Sequence, residues 1–286
     1  MKNAINAYLS FVHQSRSPKT HRTYQDRLQA FLDIVGDDAE LTQETYKKFL
    51  LGSASMTPST QALCRSAIKG LYYHAGVETA FFHQLDRHHA LRAKKTIIKF
   101  NEAGIQQVID YVNTIRNTPE ELRDRTYILL LTDSGLRVSE ACGLRVSDVD
   151  LLEERAFITG KGGKEAIVKF SHRAADAMRD YLRTRTISKS APVFIRHDKR
   201  AGDKIIQAYP SYMWHYVKQR ITEAGVDPET IRPHDFRHFF VTTVYRSKGI
   251  KTAQVWARHE SIGITERYTH LVEDDGAAYD EVFNQR

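Results

Sequence analysis

Six polar side chains of this sequence lie in segments where packing alone does not account for them. They comprise three permanent cations, two imidazoles and one phenol: Arg137, Lys161, His234, Arg237, His259 and Tyr268. No acid pair, metal-binding set, or serine or cysteine nucleophile motif accompanies them. A group of this composition suits phosphoryl transfer, because cations stabilise a charged transition state while the tyrosine oxygen attacks.

The stretch "HDFRHFF" places His234 and Arg237 three residues apart in a predicted helix. Side chains at this spacing point the same way. An imidazole and a guanidinium side by side repel when both are charged, unless an anion lies between them. An oxyanion is the ligand that such a pair prefers.

Arg137 follows Gly135 and Leu136 at the predicted start of a helix. The amino-terminal end of a helix favours anions, so a cation there needs an anionic partner. That partner is either an acid of the chain, Glu140 or Asp148, or a bound anion. The sequence leaves both interpretations of Arg137 open.

Lys161 and Lys164 flank Gly162 and Gly163 in "GKGGK", between two β-rich stretches. Two glycines at this place predict a tight hairpin turn. A lysine at a hairpin tip is commonly solvated, and its other use is to reach a phosphate or a leaving group. The glycines do not match a Walker loop, which has a wider spacing and a following Ser or Thr.

Tyr268 lies nine residues after His259 (268 − 259 = 9) in "ARHESIGITERYTHL". Taken alone, this tyrosine is more readily a packing residue than a nucleophile. Its ordinary pKa is about 10, so attack near neutral pH requires nearby cations and a proton acceptor. The other members of the set provide both, which favours the nucleophile.

The elements that must position these residues are mainly helical. Apolar spacing predicts helices over 2–14, 17–36, 42–52 and 58–76, then over 101–113, 119–135, 137–144, 171–185, 209–225, 233–249 and 251–260. Strands are predicted over 155–159 and 165–170. The predicted fold is therefore mainly α, with an N-terminal helical bundle and a C-terminal mixed domain that carries a small antiparallel sheet.

The predicted domains are a helical domain over 1–86, a basic linker over 87–100 and a second, mixed domain over 101–286. The linker holds Lys94 and Lys95, and its basic composition suits contact with a phosphate backbone. An ordinary solvated linker is the alternative. Arg65 and Lys69 are predicted to contribute to a basic face of the first bundle.

Composition narrows the class of partner. The formal net charge is +7, and residues 1–95 hold 13 Lys and Arg against 8 Asp and Glu. Such a balance favours polyanions, although a merely basic surface has the same composition. The apolar run over 127–131 is far shorter than a membrane span. Two cysteines and no signal-peptide pattern predict a cytoplasmic, nucleoid-associated protein without a disulfide framework.

Four stretches together resemble the tyrosine recombinases, the integrases of the phage and Xer type. They occur in the order of that family and cover, with the helical first third, nearly the whole chain: "TDSGLRVSEACGLRVSDVD" (132–150), "ITGKGGKEAIVKF" (158–170), "RPHDFRHFFVTTV" (232–244) and "ARHESIGITERYTHL" (257–271). The resemblance implies site-specific cutting and rejoining of double-stranded DNA through a 3′-phosphotyrosyl link, without ATP or a metal.

The resemblance also implies roles for single residues. Arg137 and Arg237 would bind the nonbridging oxygens of the scissile phosphate, and His259 would hold the same phosphate. His234 would share the phosphate and handle the proton of the nucleophile, Tyr268. Lys161 would be the general acid for the departing 5′-hydroxyl. The resemblance would also make 1–86 the DNA-binding domain and 101–286 the catalytic domain. On their charge and position, and not on the family motifs, Lys164, Arg65, Lys69, Lys94 and Lys95 are predicted to bind DNA.

The chain departs from the family pattern before His259. The family commonly shows an apolar pair and a glycine there, whereas this sequence has "WARH", with Arg258 in place of the glycine. Arg258 is expected to touch DNA or to face solvent. The tail after Tyr268 resembles a segment that such enzymes often pass to a neighbouring subunit.

Two other functions stay open beside a recombinase that acts as a tetramer on two sites, with or without accessory proteins. One is a type IB topoisomerase-like or resolvase-like enzyme, which would use the same basic residues. The other is a non-catalytic DNA-binding regulator on the same scaffold. Every expected catalytic position is filled, which argues against the regulator.

Overall fold

The computed structural model describes residues 1–91, 98–159, 165–199, 201–202 and 204–271. The chain divides into two compact units, Met1–Thr96 and Ile97–Arg286. The described part of the first unit contains five helices: α1 (Lys2–Ser15), α2 (Pro18–Val35), α3 (Gln43–Gly52), α4 (Pro58–His74) and α5 (Phe81–His88). The predicted helices of the first third are thus present, and α5 is an additional helix that runs into the predicted linker.

The helices of the first unit begin where the sequence places its capping residues. The hydroxyl of Ser17 accepts a hydrogen bond from the backbone N–H of Thr20 (3.2 Å), and Thr57 does the same for Thr60 (3.3 Å). A proline follows each cap, in the first-turn position that tolerates a missing N–H. These caps orient apolar faces that share one core, which includes Leu28, Phe31, Phe49, Ile68 and Leu71.

The second unit is mostly helical with one small sheet. Its elements are α6 (Glu102–Val112), α7 (Pro119–Ser134), α8 (Val138–Gly143), β1 (Val149–Asp150), β2 (Arg155–Thr159), β3 (Glu165–Lys169), α9 (His172–Leu182), α10 (Pro210–Glu223), α11 (Asp235–Trp256) and α12 (Ile262–Thr265), with short 3-10 turns over Val146–Asp148, Pro228–Thr230 and Glu266–Leu271. The predicted fold class is confirmed. β1, which the sequence did not predict, pairs with β2, and β2 pairs with β3, both antiparallel.

Helix α7 runs through the middle of the second unit, with 11 of its 16 residues buried. Three of the buried residues are charged: Arg123, Asp124 and Arg125. The carboxylate of Asp124 bonds to Arg123 (2.6 Å) and to Arg220 of α10 (3.0 Å). A buried carboxylate between two guanidinium groups is satisfied, which is the condition for keeping charge inside a core. Because the buried residues of α7 pack against the surrounding helices, the position of its C-terminal end is fixed. Arg137 follows that end and is positioned by it.

Helix α11 differs from the prediction of two separate helices. Its backbone continues from Asp235 to Trp256, but Gly249 inside it has non-helical angles (φ 77°, ψ 171°). The predicted break at this glycine is therefore present as a local interruption. The first part carries Arg237, and the second leads to His259.

Gly135 ends α7 in the left-handed conformation (φ 61°), and a Cβ atom added there would overlap the ring of Phe240. Gly135→Ala should therefore lower the free energy of unfolding of the second unit by about 2–4 kcal/mol, the sum of a left-handed backbone and an overpacked core. Urea denaturation of the full chain measures the change. Gly143→Ala is the matched control, because nothing lies within 4 Å of its added Cβ. Equal effects of the two variants would contradict the prediction.

Candidate active site

Tyr268 lies in the 3-10 turn that follows α12, and only 2% of it is exposed. Its ring packs with a small cluster that includes Ile98, Phe240 and Val244. The phenol O–H meets Nδ1 of His238 at 2.5 Å, which is a short hydrogen bond. The tyrosine is thus neither a solvated side chain nor only a core residue, since its hydroxyl is held by a polar partner.

Burial raises the pKa of Tyr268 to about 12, against the opposing charges of Arg237 and Arg267. The phenol is therefore protonated at neutral pH, and its oxygen becomes a strong nucleophile only when the proton is taken up. A partner that accepts this proton, or a hydrogen bond from it, has to lie within reach.

His238 is that partner, and the sequence did not predict it. Burial lowers the pKa of His238 to about 4, with further lowering by His234, Arg267, Arg237 and Arg232. A neutral imidazole accepts a hydrogen bond at one nitrogen and donates at the other. The phenol donates to Nδ1 in the tautomer that carries its proton on Nε2. One signal was available: His238 is four residues after His234 and therefore on the same helical face.

Arg237 is 7% exposed and lies between two chain segments. Nη1 donates to the carbonyl oxygen of Gly135, and Nη2 donates to that of Ala257. Burial lowers the pKa of Arg237 to about 10, and the charges of Arg137 and Arg258 add to this effect. The guanidinium stays charged at neutral pH and fixes the end of α7 against the end of α11.

Arg137 precedes α8 and bonds to Glu140. Nη1 of Arg137 lies 2.7 Å from Oε1 of Glu140, and its backbone N–H donates to Oε2 (2.9 Å). Burial opposes the charged form of Glu140, but the hydrogen bonds from Arg137 and the charge of Arg258 lower its pKa overall. The ion-pair interpretation of Arg137 is confirmed with Glu140. The side chain of Arg137 is still 41% exposed, so an anion can reach it.

His259 follows the end of α11, and its Nδ1 lies 2.8 Å from the hydroxyl of Thr265 in α12. Its ring stacks on that of Tyr268, with centroids 6.3 Å apart and planes at 21°. Burial lowers the pKa of His259 to about 4, with Arg237 and Arg137 as the next causes. His259 therefore lies beside both the tyrosine and the arginines.

The structure brings Arg137, Arg237, His259 and Tyr268 into one region. His234 is exposed at the start of α11, and its carbonyl accepts the N–H of His238. Lys161 and Lys164 fall outside the described residues, as do Lys94 and Lys95. Their roles stay predictions.

Two predicted DNA contacts of the first unit are engaged within it. Arg65 is 7% exposed, and its guanidinium donates to the carboxylate of Asp86 (3.4 Å) and to the carbonyl of His89 (2.8 Å). Lys69 also pairs with Asp86. Burial of Arg65 conflicts with a direct contact to a phosphate, whereas Lys69, with 33% of its side chain exposed, remains a candidate.

No group of three or more His, Cys, Asp or Glu residues within the described ranges has the arrangement of a metal site. The groups that converge on Tyr268 are cationic or neutral donors and acceptors. Such an arrangement binds an oxyanion and stabilises negative charge that develops on it.

Residues 99–274 match the model of the phage integrase family. This match covers more than half of the 286 residues, and it contains all six residues that the sequence singled out. The chain therefore belongs to the phage integrase family.

Individual relatives of this chain include tyrosine recombinases named XerC and XerD. The tyrosine recombinase XerD of Corynebacterium glutamicum is 38% identical over 160 residues, which are 55% of this chain and 51% of that protein. The tyrosine recombinase XerC of Xanthomonas campestris is 28% identical over 284 residues, covering 94% of this chain and 84% of that protein. The solved structure of XerH bound to a palindromic difH substrate has the same fold, with a TM-score of 0.69 and 19% identity over 93% of this chain and 79% of that one.

Proposed function

We propose that this protein is a site-specific DNA recombinase that cuts and rejoins DNA strands through Tyr268. The observation that carries the proposal is the position of the phenol: its hydroxyl bonds to a neutral imidazole, and Arg237 and a second imidazole lie beside it. No other described tyrosine of the chain is placed among the residues that match the family motifs. The XerC and XerD relatives are tyrosine recombinases by name, which supports the same chemistry here.

In the proposed reaction, the phenolic oxygen of Tyr268 attacks the scissile phosphorus and the bond to the 5′-oxygen breaks. The product is a 3′-phosphotyrosyl link and a free 5′-hydroxyl. The link keeps the energy of the phosphodiester, so a 5′-hydroxyl can reverse the step and rejoin a strand. Arg137 and Arg237 hold the nonbridging oxygens, where negative charge grows in the transition state.

Two protons move in this step. One leaves the phenol, and the structure offers His238 as the group already bonded to it, in place of the expected His234. The other is delivered to the departing 5′-oxygen, a role proposed for Lys161 on the resemblance alone. His234 keeps its proposed contact with the phosphate.

The proposed partner is double-stranded DNA that carries a specific recombination site. XerH has been solved on its difH substrate, which supports DNA-site binding by a protein of this fold. We propose a tetramer on two synapsed sites, with the tail after Tyr268 exchanged between subunits, and association with the nucleoid. No described helix is long and apolar enough to cross a membrane.

The test begins with selection of bound duplexes from a random library, because the site is unknown. A selected duplex is then nicked close to the cleavage point, so that the short fragment diffuses away and the covalent adduct accumulates. The proposal predicts a protein–DNA adduct on the 3′ side of the break, formed equally in EDTA. Absence of any adduct on the selected site would refute it.

A supercoiled plasmid separates the recombinase from the topoisomerase-like alternative. A recombinase should convert plasmids with two selected sites into deletion or inversion products. Relaxation of a plasmid without the site, at the same rate as one with it, would favour the alternative.

A further inference from the structure

Arg258 has a backbone conformation that its residue type disfavours. Its φ is 56°, and only one other described residue besides glycine, Glu154, has a positive φ. The left-handed region costs an L-residue roughly 1–2 kcal/mol, whereas glycine adopts it freely. An observed outlier of this kind in a site is a reason to look for a function of the side chain.

The side chain of Arg258 turns inward instead of facing solvent, and only 18% of it is exposed. Nη2 lies 2.8 Å from Oε2 of Glu140, and Nη1 is buried with no hydrogen-bond partner in the described part of the chain. The expectation that Arg258 faces solvent is therefore wrong. Its guanidinium joins residues that are 118 positions apart in the sequence.

Glu140 is shared between two arginines. Oε1 accepts from Nη1 of Arg137, and Oε2 accepts from the backbone of Arg137 and from Nη2 of Arg258. The shared carboxylate links the start of α8 to the turn that precedes His259. The carboxylate of Glu140 thus links Arg137 to Arg258, the residue that precedes His259. Both Arg137 and His259 are assigned to the scissile phosphate.

Sharing also changes how strongly Glu140 neutralises Arg137. A carboxylate that pairs with one guanidinium gives a pair with no net charge. A carboxylate that pairs with two guanidinium groups gives a cluster with a net charge of +1. The cluster of Arg137, Arg237 and Arg258 holds three guanidinium groups against the one carboxylate of Glu140. Two positive charges remain unmatched within this cluster, and they attract a phosphate group.

We propose that Arg258 is a positioning residue, which acts through Glu140 to hold Arg137 in place and to keep its charge available for the scissile phosphate. This rests on the proposed function of the same site. Arg258 itself does not touch the reacting atoms in the proposal. This positioning role explains why residue 258 is an arginine although its backbone conformation favours glycine.

The test compares single-turnover adduct formation on the nicked duplex by the full chain and its variants. Arg258→Gly removes the guanidinium and fits the left-handed backbone, so the variant should fold. We expect it to form adduct at least about tenfold more slowly, because a misplaced catalytic group has effects of this size or larger. The Kd for DNA should change by less than about threefold, since the bridge serves the transition state rather than uniform binding. Arg258→Lys should recover part of the rate.

A double-mutant cycle with Glu140→Gln shows whether the effect passes through Glu140. In the Glu140→Gln background, Arg258→Gly should slow the reaction by less than about twofold, since coupled residues are non-additive. Equal slowing in both backgrounds would instead indicate a direct contact with DNA, and would overturn the proposal. A wild-type rate in Arg258→Gly, even with a lower Tm, would also overturn it.

A second measurement does not depend on catalysis. In the NMR spectrum, the side-chain Nε–H resonance of Arg137 is assigned by its loss in Arg137→Lys. This resonance should shift between the wild type and Arg258→Gly. It should not shift between Glu140→Gln and the double variant that also carries Arg258→Gly. An unshifted resonance in Arg258→Gly would overturn the proposal even if the wild-type protein formed no adduct. Loss of the wild-type adduct, by contrast, would contradict the proposed function and leave the resonance to decide on Arg258.

Discussion

Tyr268→Phe should eliminate the covalent protein–DNA adduct while DNA binding persists. The substitution removes one oxygen atom and keeps the ring, which is packed in a cluster with Ile98, Phe240 and Val244. The fold should therefore survive, and the loss of adduct should be complete because no bond to phosphorus can form. Denaturing gel electrophoresis of the reaction with a labelled nicked duplex measures the adduct, and a mobility shift measures binding.

Tyr245→Phe is the matched control. Tyr245 packs against the same cluster, and Tyr245→Phe removes the same atom, but Tyr245 lies outside the four stretches that resemble the family motifs. Its variant should form adduct at the wild-type rate. Adduct that persists in Tyr268→Phe would remove Tyr268 from the role of nucleophile, whatever the control shows.

Arg237→Ala should slow adduct formation by a factor of at least about 100, since removal of one preorganised transition-state donor costs roughly 3 kcal/mol. It should also lower the Tm, because Arg237 donates to the carbonyls of Gly135 and Ala257 and so joins two segments of the second unit. Arg137→Ala should slow the reaction by a similar factor with little change in Tm, since its side chain is 41% exposed. Single-turnover kinetics and thermal denaturation separate the two effects.

Arg179→Ala is a control for the loss of a guanidinium from the second unit. Arg179 pairs with Asp176 on α9, with 31% of its side chain exposed. This variant should react at the wild-type rate. A wild-type rate in Arg237→Lys would mean that one positive charge at position 237 is sufficient for the reaction. The hydrogen bonds from Arg237 to the carbonyls of Gly135 and Ala257 would then not be needed. We expect Lys to fail there, because an ammonium cannot reproduce the planar fork of a guanidinium.

Much of the fold could be predicted because its signals are local. Ser17, Thr57 and the prolines after them mark helix starts, and the glycines Gly36 and Gly135 mark helix ends. The strands over 155–159 and 165–169 follow from β-branched and aromatic residues around two glycines. Each of these features depends on a few neighbouring residues, which the sequence displays directly.

The site was harder to predict, because its geometry depends on contacts between distant segments. The family motifs indicated Arg137, Arg237, His259 and Tyr268. For the proton of the phenol they indicated His234, whereas the structure places His238 on the hydroxyl. The choice of His238 depends on how the turn with Tyr268 packs against α11. The inward direction of Arg258 likewise depends on Glu140, which lies 118 residues earlier. The burial of Arg65 was missed for the same reason, since Asp86 belongs to a helix that the sequence did not predict.

The interruption of α11 at Gly249 affects how much the number of residues between the Arg237 and His259 motifs can vary. In an unbroken helix, one inserted residue rotates everything after it by about 100°. Arg237 and His259 are 22 residues apart (259 − 237 = 22), so an insertion in a continuous helix would turn one away from the other. Because the backbone at Gly249 is non-helical, the rotation of the second half of α11 about its axis is not fixed by the first half. The hydrogen bond from Arg237 to the carbonyl of Ala257 fixes where the second half ends. The order of the two motifs is therefore constrained more strictly than the number of residues between them.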